Sequence, residues 1–225
     1  MDVTLSGQTD LAGFRAEARQ LLARQVAPEE VRWQLDLDDA RVREPQSPLA
    51  SRPRNVARAA TAIVPASFTR LCELVVLHRE PGRFALLYRL LWRLVHEPGL
   101  RNDPADADMQ QAQHMAHAVR RDIHKMKANL RLHTLRDARG APLQVGCHEP
   151  AHHIVEAVGP WLGRRLGSER WALFTPERSV RGGDGQLAFG AGVPSAQWPG
   201  PGASEADWCA LCERVFAHAL PVAHA

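Results

Sequence analysis

The chain has little lysine, few aromatic rings and no long uninterrupted apolar run. Lysine occurs only at Lys125 and Lys127, so nearly all of the 28 basic residues are arginine. Aromatics make up 6% of 225 residues, with a single tyrosine. The longest apolar stretches are broken by Arg89, Arg93 and His96, which excludes a membrane-spanning helix. Met1-Asp2-Val3-Thr4-Leu5 carries no basic region leading into an apolar one, so no signal peptide is expected. Cysteine is limited to Cys72, Cys147, Cys209 and Cys212. Without a secretory signal these thiols are expected to be reduced, in a cytoplasmic protein. No HExxH pattern, GxxxxGK[ST] loop or internal repeat is present, which removes the commonest zinc-protease, phosphate-loop and solenoid readings.

What is present fits a folded protein with a real core. Hydrophobic residues are 45% of the chain and charged residues 24%, ordinary globular values. That supports one domain, or one with a small satellite. The formal net charge is +3 and the pI about 8.9. Arginine suits phosphate, because its planar guanidinium presents paired donors.

Periodicity predicts an α+β fold: mainly helical, with two β-hairpins forming a small antiparallel sheet. Residues 1–34 read as an N-terminal strand and helix segment. Val3 to Leu5 suit a strand, and Asp10 suits the N-cap of a helix with Phe14, Ala18, Leu21 and Leu22 inward. Pro28-Glu29-Glu30 looks like a second helical start. Residues 35–62 lose periodicity and read as a linker or long loop. A main α+β domain is expected over 63–192, and a Gly/Pro-rich tract with a C-terminal helix over 193–225.

Within the main domain, Pro65 and Gly82 open helices. Phe84, Leu87, Tyr88, Leu91, Leu94 and Val95 form an inward stripe, with Arg83, Arg89 and Arg93 off it. Asp103-Pro104 opens a further helix with Met109, Ala112, Ala116, Val119, Ile123 and Met126 inward. The period then turns to alternation at Leu130 and Leu132, and at Leu143, Val145 and Cys147, around a turn at Arg139-Gly140. Glu149-Pro150 is expected to start the next helix. Trp171–Thr175 and Gln186–Phe189 make the second strand pair, around Arg181 to Gly185.

The sharpest local feature is the run from Arg120 to Lys127. Arg120, Arg121, His124, Lys125, Lys127 and Arg131 are the candidate nucleic-acid contacts, because cations on phosphate give sequence-independent affinity. Cations at a helix C-terminus also complement its dipole, so part of the cluster has a purely structural explanation. Stacking aromatics are not interleaved in this run. His124, or Glu149 with His152, could supply general acid–base chemistry. His148 and His152 have metal-ligand spacing only if both lie on one helix, which Pro150 argues against, so no metal or other cofactor is expected. Cys209-Ala210-Leu211-Cys212 is a lone CxxC inside a helix, without the setting of a redox or zinc motif. Gly182-Gly183-Asp184-Gly185 reads as a hairpin turn.

Several blocks together resemble a bacterial family of proteins assigned to DNA repair. They are Phe84 to Leu94, Arg121-Asp122-Ile123-His124-Lys125-Met126-Lys127-Ala128, Glu149-Pro150-Ala151-His152-His153-Ile154, Trp171 to Ser179, and Phe189-Gly190. The resemblance runs from about Val3 to Gly192. In that family a domain of unknown function accompanies a radical-SAM protein of DNA modification or repair, and also occurs fused ahead of a uracil-DNA glycosylase domain. The resemblance implies an accessory DNA-binding module cooperating with one of those partners. The alternatives are a nucleic-acid-processing enzyme and a protein-interaction module without DNA affinity. Asn129, Gly146, Cys147 and Gly182 stand where that family is expected to carry aromatics or an aromatic pair. The chain has no CxxxCxxC run, and neither glycosylase segment, Gly-Glu-x-Pro-Gly or His-Pro-Ser.

Overall fold

The computed structural model describes residues 1–36, 64–137, 139–200, 202–219 and 221–223. Almost all of the expected linker at 35–62 lies outside the described residues. The described residues up to Arg120 form one compact unit, and those from Arg121 form a second. Among the described residues, no helix is long and apolar enough to cross a membrane.

The first unit begins with β1 (Asp2–Leu5), α1 (Leu11–Ala23) and β2 (Arg32–Leu35). Asp10 caps α1, accepting from the Gly13 N–H at 2.7 Å, and Phe14, Ala18 and Leu21 are buried. Pro28 starts only a 3-10 turn, Pro28–Glu30, not an α-helix. The chain then extends, because β2 pairs in parallel with β1 from Asp2↔Arg32 to Leu5↔Leu35.

Three helices follow: α2 (Ala66–Val75), α3 (Arg83–His96) and α4 (Ala107–Asn129). α3 is the spine of the unit, with Phe84, Leu86, Leu87, Tyr88, Leu90, Leu91 and Leu94 buried. Trp33 stacks on Phe84 with ring centroids 6.3 Å apart, and Phe14 lies 5.7 Å from Phe84. The Tyr88 hydroxyl donates to the Val26 carbonyl at 2.7 Å.

Arg83 overturns the expectation that it lies off the stripe, for it is fully buried. Its Nε donates to Val76 O at 2.9 Å and its Nη1 to Glu80 O at 2.9 Å. Its Nη2 reaches both the carbonyl and the side-chain oxygen of Gln8, at 2.6 and 2.8 Å. A guanidinium can be buried there because the loop carbonyls take up its donors.

Arg89 grips Asp108 through two bonds of 2.9 and 2.7 Å. Arg93 reaches Asp106 at 2.7 Å and Asp108 at 3.1 Å. These guanidinium partners hold both carboxyls below the usual aspartate range. Asp106 also accepts from the Met109 N–H at 2.9 Å, so it caps α4. The expected start at Asp103-Pro104 is a turn, held by Asp103 accepting from the Ala105 N–H.

The second unit contains the last turns of α4, then β3 (His133–Arg136), β4 (Pro142–Cys147), α5 (Val155–Leu166), β5 (Trp171–Phe174), β6 (Arg178–Gly183), β7 (Gln186–Ala191), α6 (Glu205–Phe216) and β8 (Pro221–Ala223). The six strands form one mixed sheet in chain order. The fold is α+β, but its sheet is not two antiparallel hairpins. β4 and β5 run parallel, with α5 as the crossover between them. β6 is inserted between β5 and β7, where a turn was expected. The tight turn is Asp184-Gly185, both with positive φ (51° and 74°), as a two-residue hairpin of this hand requires.

Gly182 explains the missed strand. It lies opposite Trp171 in the ladder, and a Cβ there would come within 2.4 Å of the indole ring. The ring covers the strand, so a side chain at 182 has no room. Gly146 has a matching role: a Cβ there would meet Leu132 Cδ2 at 2.9 Å and Arg131 O at 3.0 Å. Leu130 and Leu132 therefore cross over β4 as irregular chain, and pairing begins only at His133. β5 is buried at every residue, as expected of a strand covered on both sides. Gly159 of α5 packs toward Val180 and Phe189 on one side. Leu211 and Phe216 of α6 pack with Val145, Ala172 and Phe174 on the other. Ser204 and Asp207 close a reciprocal capping box at the start of α6.

Candidate nucleic-acid interface

The inward face of α4 differs at four positions from the expected stripe. Ala112, Ala116, Val119 and Met126 are buried as expected, together with Met115 and Asp122, while Met109 and Ile123 are half-buried. Asp122 is the one acid between Arg120 and Arg131, and it is 8% exposed. Its Oδ2 accepts from the backbone N–H of His152 at 2.9 Å. That bond fastens the β4–α5 connection onto the helix.

The same connection is fastened at its other points. His148 N–H donates to Phe174 O at 3.0 Å, and His153 Nδ1 lies 2.5 Å from Glu177 Oε2. Arg178 Nε reaches Glu156 Oε1 at 2.9 Å. Three sequence blocks thus meet through named contacts: Arg121 to Ala128, Glu149 to Ile154, and Trp171 to Ser179. The expected helix start at Glu149-Pro150 is therefore an irregular, tied segment. α5 begins at Val155, where Ala157 and Val158 N–H both turn back to Ile154 O. His148, His152 and His153 all precede the helix, so the spacing that suggested a metal site is not a helical face. Among the described residues, no group of three or more His, Cys, Asp or Glu side chains could hold a metal ion.

Asp122 is turned inward, away from the cations that flank it in sequence. Arg121, His124, Lys125 and Arg131 are exposed, and among the described residues none has a carboxylate within ion-pair distance. At 100° per residue, Arg121, His124 and Lys125 fall within one 100° arc of α4. Lys127 is half-buried and finds an aromatic partner: its Nζ lies 5.1 Å from the centre of the Trp161 ring. The Arg165 guanidinium lies 5.3 Å from the same ring. The sequence run lacks an aromatic, but α5 supplies one from 34 residues beyond Lys127. The signal for it was Trp161 followed by Arg164-Arg165 on a helix whose inward face is otherwise aliphatic.

The candidate residues do not all share one place. Arg120 belongs to the first unit and lines a cleft there, while the others belong to the second. His124 lies about 160° around α4 from Asp122, the residue that holds His152. His124 therefore projects from a different side of α4 than the one that holds His152. Glu149 is exposed and His152 half-buried. His148 is half-buried, and burial pushes its pKa below 6.5, with Asp122 and Glu149 opposing that push and Lys125 adding to it. A neutral imidazole is the form it holds at neutral pH.

The CxxC thiols are poor nucleophiles. Burial pushes Cys212 up to about 12, and it does the same to Cys147. Cys209 is raised as well, and its Sγ donates weakly to Arg136 O at 3.8 Å. A catalytic thiol requires the opposite shift.

No curated protein and no solved structure matches the chain. Residues 81–183 match the family model described as a domain of unknown function, DUF4130. The matched span contains the Phe84–Leu94, Arg121–Ala128, Glu149–Ile154 and Trp171–Ser179 blocks, and its members meet through Asp122, His153 and Glu177.

Proposed function

We propose that the chain is an accessory DNA-binding module of DNA repair, which contacts phosphate through Arg121, His124, Lys125, Lys127 and Arg131. One observation carries this reading. The only acid in the stretch is buried and committed to a backbone N–H, and among the described residues the surrounding cations have no carboxylate partner. A structural cation cluster normally finds such partners, as Arg89 and Arg93 do on α3. Trp161 beside Lys127 and Arg165 adds a surface on which an unpaired base can stack. The partner, a radical-SAM or uracil-DNA glycosylase protein, and the cytoplasmic setting follow from the sequence resemblance and belong to the same proposal.

Fluorescence anisotropy on single-stranded, duplex and uracil-containing DNA at several salt concentrations tests it. Affinity should fall linearly on a logarithmic salt scale. Lys125→Glu/Lys127→Glu should lower that slope by about 2, one unit for each phosphate contact. Trp161→Ala should cost about 1–3 kcal/mol on single strands and little on duplex. Binding that ignores salt, or no binding at all, would exclude the DNA reading in favour of a protein-docking face.

A further inference from the structure

The first unit contains a cleft that the reading above does not use. It has a volume of about 810 Å3 and is lined by α2, α3, α4 and the turn before α4. Pockets that enclose small organic ligands fall roughly between 300 and 1,000 Å3. Its walls are largely apolar, with Phe68, Leu71, Leu94, Leu100 and Met109 among them. Two arginines line it, Arg70 from α2 and Arg120 from α4. Both residues are exposed, and among the described residues neither has a carboxylate partner.

The polar groups are segregated along the cleft. Asn102 and Asp103 stand before the start of α4. Arg120 lies eleven residues beyond Met109, which is about 16 Å further along the helix axis. Gln113 falls between them on the same edge of α4. Along α4 the lining therefore runs from a cation, Arg120, through an apolar stretch to groups that both donate and accept. An inorganic anion would use only the first of these, and a hydrocarbon chain only the second. A ligand that uses all three has an anionic group, a flat apolar body and a hydrogen-bonding edge.

We propose that this cleft binds a nucleoside monophosphate unit. The phosphate sits on Arg120, whose guanidinium fork matches its geometry, with Arg70 a second arginine in the lining. The base lies among Phe68, Leu71 and Met109, with its edge toward Asn102 and Asp103. The unit is either a free nucleotide or an unpaired nucleotide of a strand. The proposal does not rest on the basic face, because Lys125 and Lys127 are not among the lining residues.

Calorimetric titration of the whole chain tests it, using the four deoxynucleoside monophosphates, their nucleosides and inorganic phosphate. At least one monophosphate should bind tenfold or more tightly than its nucleoside and than phosphate. Arg120→Ala should remove that tenfold advantage, and Leu71→Trp, which fills the cleft, should remove binding. Arg120 and Arg70 are exposed, so their alanine variants carry the test even if Leu71→Trp lowers the melting temperature. A second arm uses a short single strand with a central 2-aminopurine, at saturating protein. A fluorescence rise lost in Arg120→Ala but kept in Lys125→Glu/Lys127→Glu identifies a strand as the source. Binding of monophosphates without that rise identifies the free nucleotide. The proposal is overturned if neither probe binds, if nucleosides bind as tightly as monophosphates, or if Arg120→Ala changes nothing.

Discussion

The arginines of α3 and the cations at the end of α4 are the same chemistry put to opposite uses. On α3, Arg83 is buried among four oxygens, and Arg89 and Arg93 are paired with Asp106 and Asp108. At the end of α4 and just beyond it, Arg121, Lys125 and Arg131 are exposed and lack carboxylate partners among the described residues, because Asp122 turns inward. A sequence shows both helices as amphipathic and basic. Only the position of the acids separates them. The carboxylates opposite α3 make its cations part of the fold, and beside the end of α4 the described residues supply no such carboxylate.

The largest expected effect breaks the α3 side of that contrast. Arg83→Met removes four hydrogen bonds, leaving the buried Val76 carbonyl and the part-buried oxygens of Gln8 without this donor. Each such group costs about 1–3 kcal/mol, so the variant should lose about 3 kcal/mol or more in urea unfolding. Arg83→Lys should recover only part of this, since an ammonium cannot span the same oxygens. A loss under 1 kcal/mol for Arg83→Met would mean the guanidinium is not integral to the fold.

Asp122 sits on the α4 side but behaves like α3. Asp122→Ala should cost about 1.5–3 kcal/mol, the usual value for a hydrogen bond to a charged group, because the His152 N–H loses its acceptor. Asp122→Asn keeps an acceptor and should cost less. Lys125→Glu/Lys127→Glu should instead leave stability within about 1 kcal/mol, the loss being the contact of Lys127 with Trp161. If that double variant destabilised the protein as much as Asp122→Ala, the α4 cations would be structural and the contrast would collapse.

Much of the fold was legible where a local rule sufficed. Asp10 as a cap, the apolar stripe of α3 and the Gly140 turn all follow from chemistry within a few residues. The misreadings share a different cause. β2 exists because Arg32 to Leu35 pair with β1, some 30 residues away. β6 looked like a turn because its glycine faces Trp171 from a neighbouring strand. The segment from Glu149 to His153 looked helical because Pro150 suits a first turn, but Asp122 and Glu177 hold it as an irregular, bent segment. The candidate site was half legible for the same reason. The cations showed in the sequence; the burial of Asp122 and the approach of Trp161 are tertiary facts.

His148 gives the smallest effect and the finest separation of the two regions. Burial holds its folded pKa below 6.5, so the unfolded chain takes up a proton at a pH where the folded chain does not. More protons bound in the unfolded state means that stability rises with pH. The stabilising contribution of the neutral imidazole is present above 6.5 and is lost as pH falls from there toward the folded pKa. Asp106 and Asp108, whose pKa values are lowered by the α3 arginines, act in the other window: their contribution is present above 3.8 and is lost below it. The two regions should therefore weaken in different acid ranges. His148→Gln should flatten the decline in unfolding free energy between pH 7 and 5 while leaving the fall below pH 4 unchanged. An equally steep decline in the variant would show that His148 is not the group responsible. The asymmetry follows from the carboxylates again, since Asp122 and Glu149 oppose the shift of His148 without cancelling it, whereas Asp106 and Asp108 are fully engaged by their arginines.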